Sequence, residues 1–122
     1  MPTTQEIAAR YHELMNQRKF VEVQDTLYGD DVVCQEPEKA AAMGFAVITT
    51  GLEAVKAKGV ARRATIESFH SYDCSTPIVA GDYFTVSLRQ ELTFKGRPRT
   101  SLEEIAVFQV KDGKIIKEQF FY

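Results

Sequence analysis

The chain has 122 residues, 44% of them hydrophobic and 26% charged, with 15 Lys and Arg against 17 Asp and Glu for a net charge of −2. That is the length of one domain with enough apolar material for its own core, which excludes wholesale disorder. No apolar run reaches the ~18 residues of a membrane span, and the balanced charge lacks the basic field of a nucleic-acid binder, so neither a membrane nor a nucleic acid is expected as a partner.

Thr3-x-x-Glu6 is a capping box, and Ile7, Ala8, Tyr11, Leu14 and Met15 follow it at helical spacing. The pattern predicts a helix over about Thr4–Asn16. Phe20, Val23, Leu27 and Tyr28 repeat it and predict a second helix over about Lys19–Leu27, stopped by Gly29-Asp30-Asp31. Val32-Val33-Cys34 begins a short strand that Pro37 ends, because proline cannot donate to a ladder. From Glu38 to Thr50 the signal weakens. Ala40-Ala41-Ala42-Met43 suits a helical turn and Phe45–Thr50 is β-prone, so the segment reads as a lid or a packed arm. Thr50-Gly51 opens a third helix with Leu52, Val55 and Val60 as its buried stripe.

Four β-like runs follow: Thr65–Tyr72, Tyr83–Phe94, Leu102–Val110 and Ile115–Tyr122. They are broken at Pro77 with Gly81-Asp82, at Lys95-Gly96-Arg97-Pro98 and at Asp112-Gly113, the last a hairpin signal between apolar runs. Helices gathered ahead of long strands predict an α+β fold. Three N-terminal helices pack in the concave face of a curved, mostly antiparallel sheet, forming a cone with a pocket at its open end and a single domain over residues 1–122.

Side chains alternate along a strand. Glu36 therefore shares a face with Val32 and Cys34, and Glu104 with Leu102, Ala106, Phe108 and Val110. Glu118 falls with Ile116, Phe120 and Tyr122, and His70 with Ile66, Ser68 and Tyr72. A one-residue slip would turn Glu104 outward and Glu103 inward. A carboxylate in an apolar pocket has its pKa raised by desolvation, which suits it to proton transfer near neutral pH. A hydroxyl such as that of Tyr11 can stabilise an enolate. Each residue also has a plain reading: an acid at a strand end reaching water, a core ring with a wet hydroxyl, a surface histidine.

The basic groups Lys56-Lys58-Arg62-Arg63 and Lys95-Arg97-Arg99 read as solvated faces or turns. Cys34 and Cys74 stand outside any CxxC, with only His12 and His70 to join them, so no metal site is expected. The first residues carry no basic or apolar signal segment, and a cytoplasmic location with two buried thiols is expected, a disulfide staying open. There is no Gly-rich phosphate loop, hence no expected organic cofactor. The aromatic end Phe120-Phe121-Tyr122 should be packed, either lining the pocket or burying a subunit contact. Gln119 and Phe121 face away from Phe120, which favours a homodimer through the sheet.

Ala9-Arg10-Tyr11-His12-Glu13-Leu14, then the run Leu27-Tyr28-Gly29-Asp30-Asp31-Val32-Val33-Cys34-Gln35-Glu36-Pro37, then Thr50-Gly51-Leu52-Glu53-Ala54-Val55 and the closing Val110–Glu118 hairpin together resemble the SnoaL-like branch of the nuclear-transport-factor-2-like superfamily. The resemblance spans nearly the whole chain. It implies the α+β cone, favours dimers, and points to a fold that hosts cyclases, isomerases, dehydratases and binding modules. Similarity to ketosteroid isomerase puts that enzyme's tyrosine oxyanion donor on Tyr11. It puts the aspartate general base, which also precedes a proline, on Glu36, one methylene longer. The second donor, a protonated aspartate, falls on Ala106 or, in another registration, Ile105, and neither can donate. Glu104, Glu118 and His70 stand as replacements from other positions.

The expected function is that of a pocket protein for a small apolar molecule. As an isomerase- or cyclase-type enzyme it would use Glu36 as general base or acid and Tyr11 as oxyanion donor, with His70 or Glu104 in support. Glu118, Phe120, Tyr122, Phe108 and Phe45 would line the substrate. The alternatives are a non-catalytic binding module covered by Glu38–Thr50, and a dimeric scaffold whose cavity is filled by Phe45, Phe69, Phe84, Phe120 and Tyr122.

Overall fold

A computed structural model describes residues 1–122. Helix α1 spans Thr4–Asn16, as the capping box requires: the Glu6 amide donates to Thr3 Oγ1 and the Thr3 amide to Glu6 Oε1. Helix α2 (Phe20–Leu27) runs directly into strand β1 (Tyr28–Gln35). A 3₁₀ segment over Glu38–Met43, strand β2 (Ile48–Thr50) and helix α3 (Leu52–Arg63) follow. The rest is strand: β3 (Ile66–Cys74), β4 (Ile78–Ala80), β5 (Tyr83–Phe94), β6 (Arg99–Lys111) and β7 (Lys114–Phe121).

The sheet has the order β2-β1-β7-β6-β5-β3, with β4 also beside β5. Its two ends do not pair, so it stays open. Every pairing is antiparallel except β1 with β7, which is parallel. Register shifts interrupt β1–β7, β3–β5 and β6–β7, and such bulges bend a strand and increase its twist. The curved sheet holds the helices in its hollow. Tyr11 of α1 packs on Phe84 and Phe108 at centroid distances of 5.7 and 4.5 Å, and those two rings stack at 4.6 Å. No helix is long and apolar enough to cross a membrane.

Four local expectations are corrected. The Gly29-Asp30-Asp31 stop is part of β1, which begins at Tyr28. Strand β4 arises after Pro77, where the sequence pattern predicts only a break. Val60 is 57% exposed. It stands five residues from the buried Val55, on another face of a helix that turns every 3.6 residues. In β7 the buried apolar residue is Ile115 rather than Ile116. Gln109 pairs with Lys117 while Val110 pairs with Ile115, so Ile116 is an inserted residue that reverses the alternation.

Candidate functional site

Three glutamates lie on the concave face of adjacent strands. Glu118 of β7 pairs with Phe108 of β6 on one side and with Cys34 of β1 on the other. Glu36 follows Cys34 by two residues, on the same face. Glu104 lies further along the inner face of β6, opposite Leu88. Its neighbour Glu103 faces out and pairs with Arg89 at 3.4 Å, which settles the register in favour of Glu104. The same parity makes Ala106 the inward residue, with no exposed surface, while Ile105 is half exposed on the outer face.

Glu118 is 4% exposed. The Tyr28 hydroxyl donates to its Oε1 at 2.6 Å. Burial raises its carboxyl to about 7, while the Tyr28 bond and the Lys58 charge pull the other way. Glu36 is also buried, and both of its oxygens are engaged. Lys58 Nζ lies 3.1 Å from Oε1, and the Tyr122 hydroxyl donates to Oε2 at 2.9 Å. Glu104 is held above the usual carboxylate range by burial, with Arg62 opposing. The phenols of Tyr11, Tyr28 and Tyr72 are all pushed up by burial, so each stays a hydrogen-bond donor through neutral pH.

Glu36, Glu104 and Glu118 line a partly open cavity of about 150 Å³ between α2, α3 and the sheet, together with Tyr11, Tyr28, Tyr72, Leu88 and Phe120. A void of that size, when apolar, accommodates a benzene ring. A wider concavity of about 960 Å³ adjoins it, and Arg62 and Glu104 line both. Lys39, Phe45, Lys95, Arg97, Leu102 and Tyr122 line the wider one.

The structure thus brings Tyr11, Glu36, Glu104, Glu118 and Phe120 to one cavity. Tyr122 joins them through its hydroxyl and otherwise faces the outer concavity, with Phe45. Phe108 is fully buried behind Tyr11, in the core. His70 is separated from the group. Register shifts between Ile66 and Ser68 and between Phe69 and Ser71 turn Phe69 and Tyr72 inward and leave His70 exposed, 2.8 Å from Thr93 Oγ1.

Sequence reasoning missed Lys58, Arg62 and Tyr28. The charge of Lys58 and Arg62 suggests a solvated face, yet they stand three and seven residues after Val55, on its own helical stripe. That spacing was the available signal. Lys56, off the stripe, pairs with Asp25 at 2.6 Å outside. Tyr28 continues the apolar row of α2 in sequence, and its role follows from being the first residue of β1. A further group in the cavity wall is Gln24, whose Oε1 is buried without a hydrogen-bond partner.

A family model described as a SnoaL-like domain matches residues 2–122. Among solved structures, a proposed SnoaL-like polyketide cyclase from Mesorhizobium loti is 27% identical with a TM-score of 0.90, covering 99% of this chain and 100% of that one. A protein with a ketosteroid isomerase-like fold from Catenulispora acidiphila, in complex with trimethylamine, is 21% identical with a TM-score of 0.73, covering 98% and 87%. A protein of cystatin-like fold from Xanthomonas campestris is 15% identical with a TM-score of 0.76, covering 98% and 90%. No curated protein sequence matches the chain.

Proposed function

The chain belongs to the SnoaL-like domain family, and from that premise we propose that it is an isomerase- or cyclase-type enzyme that moves a proton next to a carbonyl in a small, largely apolar substrate. The observation that carries this reading is the pairing in one cavity of two buried acids in different surroundings. Glu36 has a cation and a phenol on its oxygens, while Glu118 is raised to about 7 by burial. Two acids with such different hydrogen-bond partners can take up different roles.

In this reading Glu36 is the base that removes the proton from the carbon beside the carbonyl. Glu118, protonated in a large fraction of molecules near neutral pH, donates to the carbonyl oxygen together with Tyr11. It takes over from β7 the part that Ala106 cannot play in β6. Charge developing on the oxygen is met by donors already fixed in place, Tyr28 holding the Glu118 carboxyl in position. The reacting end of the substrate occupies the inner cavity. Its remainder lies in the outer concavity, where Arg62, Lys95 and Arg97 lack carboxylate partners within ion-pair distance and suit an electron-rich oxygen substituent. The orphaned Gln24 Oε1 gains a partner from a donor on the bound molecule.

The test follows hydrogen–deuterium exchange at the α-carbon of small cyclic ketones by NMR. Exchange above the buffer rate, lost in Glu36→Gln with the fold intact by circular dichroism, is the expected result. Exchange unchanged by that substitution removes Glu36 from the mechanism. The binding-module reading rests on the same cavity and on the Gln24 acceptor. It is the better account if a small molecule co-purifies, is released unchanged on denaturation, and no exchange is catalysed.

A second copy of the chain is the proposed partner. Ile105 and Phe121 pair across β6 and β7 on the outer face and are 51% and 49% exposed. Adjacent large apolar residues on a sheet face are covered most economically by the same face of a twofold-related copy.

A further inference from the structure

Lys58 is closer to a sulfur than to the carboxylate with which it forms an ion pair. Its Nζ lies 2.7 Å from Cys34 Sγ and 3.1 Å from Glu36 Oε1. Sulfur is the larger atom and the weaker acceptor, so an ordinary hydrogen bond would reverse that order. A second sulfur contact, from Cys74 Sγ to the Ser75 carbonyl, is 3.7 Å long. The separation is also too great for a direct bond, since even two sulfurs bond at ~2.05 Å. It is the spacing at which a single oxygen atom bridges nitrogen and sulfur.

We propose that Cys34 and Lys58 are the two ends of a reversible N–O–S cross-link, formed when a hydroperoxide reaches the cavity. The supporting arrangement is specific. Cys34 faces inward from β1 with no exposed surface, and Lys58 reaches it from α3, which packs on β1. Lys58 and Glu36 line the cavity, which gives a small neutral oxidant its approach. Glu36 is the adjacent acceptor for the ammonium proton, and its loss frees the amine lone pair.

The chemistry balances with two equivalents of hydrogen peroxide. The first takes two electrons from sulfur, converting the thiol to a sulfenic acid and releasing one water. The second takes two electrons from the Lys58 nitrogen as it joins the sulfenic oxygen, releasing two waters. Both O–O bonds break, the S–H and one N–H are lost, and S–O and O–N bonds form. Four electrons from two equivalents of dithiothreitol restore thiol, amine and one water. Burial pushes the Cys34 thiol up to about 12, with Lys58 opposing, so the thiolate is scarce and prolonged exposure is needed. The cross-linked nitrogen is uncharged, so Glu36 loses its counter-charge and redox state is coupled to the carboxylate pair. The cross-link itself does not rest on the catalytic reading.

The test is the mass of the intact chain after prolonged exposure to dilute hydrogen peroxide, followed by peptide mapping. The expected product gains one oxygen and loses two hydrogens, reverts with dithiothreitol, and yields a joined pair of peptides carrying Cys34 and Lys58. Mapping separates it from oxygen added at any of the three methionines. Cys34→Ser, with its fold checked by circular dichroism, should not form the joined peptides. Loss of two hydrogens without oxygen, meaning a disulfide or a direct S–N bond, overturns the proposal. So does two-oxygen addition at Cys34 with Lys58 unmodified, or a chain that stays unchanged. Because the wild-type mass is read without any activity, failure here is distinct from failure of the enzymatic reading.

Discussion

The Tyr28 hydroxyl lies 2.6 Å from Glu118 Oε1 across a buried contact between residues 90 positions apart in sequence. It ties the first residue of β1 to the middle of β7, the one parallel pairing in the sheet. Removing the hydroxyl with Tyr28→Phe leaves the shape of the ring but deletes a bond to a buried carboxyl, at a cost of about 2 kcal/mol. Since that bond favours the charged form of Glu118, the carboxyl should titrate above about 7 in the variant. Denaturant unfolding and carboxyl NMR check the two parts separately.

Glu118 also makes stability depend on pH. Its carboxyl rises from 4.5 to about 7 on folding, so in that window the native state binds more protons than the unfolded state. Stability then falls as pH rises between those values, by about 3 kcal/mol in total at ~1.4 kcal/mol per unit. Glu118→Gln keeps an acceptor for Tyr28 and removes the titration. The variant should therefore be more stable than the wild-type chain at pH 8 and should lose most of that advantage at pH 4, as read by unfolding midpoints. For the proposed reaction, turnover should decline as pH rises through about 7, where Glu118 loses the proton it donates.

Lys58 is the cation for the buried Glu36, their side chains 18% and 8% exposed. Lys58→Met leaves that carboxylate without its counter-charge, and the expected loss is about 3 kcal/mol. Adding Glu36→Gln should recover a large part of it, because the penalty lies in the unpaired charge. A double-mutant cycle on unfolding free energies measures this.

On the outer face, Phe121→Glu places a charge opposite the half-exposed Ile105. If a second copy covers this face, sedimentation should give a dimer for the wild-type chain and a monomer for the variant, with circular dichroism unchanged. A monomeric wild type contradicts the dimer.

Much of this arrangement was legible in the sequence because its signals are local. The capping box Thr3–Glu6 marked the start of α1. Asp112-Gly113 marked the last hairpin, and both residues adopt the positive φ such a turn needs, 51° and 74°. Strand alternation put Glu36 and Glu104 on inner faces because the register from each to its apolar neighbours Cys34 and Ala106 is unbroken, and Glu118 through Phe120 on its far side, where β7 pairs with β6 without a shift. It failed for His70 and Ile116, where bulges intervene, since a bulge is set by the pairing partner and leaves no trace in one strand's pattern. Lys58 was missed for another reason. Its charge suggested solvent, while its position after Val55 placed it on the buried stripe, and the Glu36 carboxylate that makes its burial tolerable comes from a distant strand.

An NMR pH titration of the glutamate side-chain carboxyl carbons decides whether Glu118 holds a proton near neutral pH. One carboxyl should titrate at about 7, with its signal absent from Glu118→Gln. If every glutamate instead titrates near the free value of ~4.3, Glu118 is an ordinary solvated carboxylate, and the proton-donating role assigned to it is wrong.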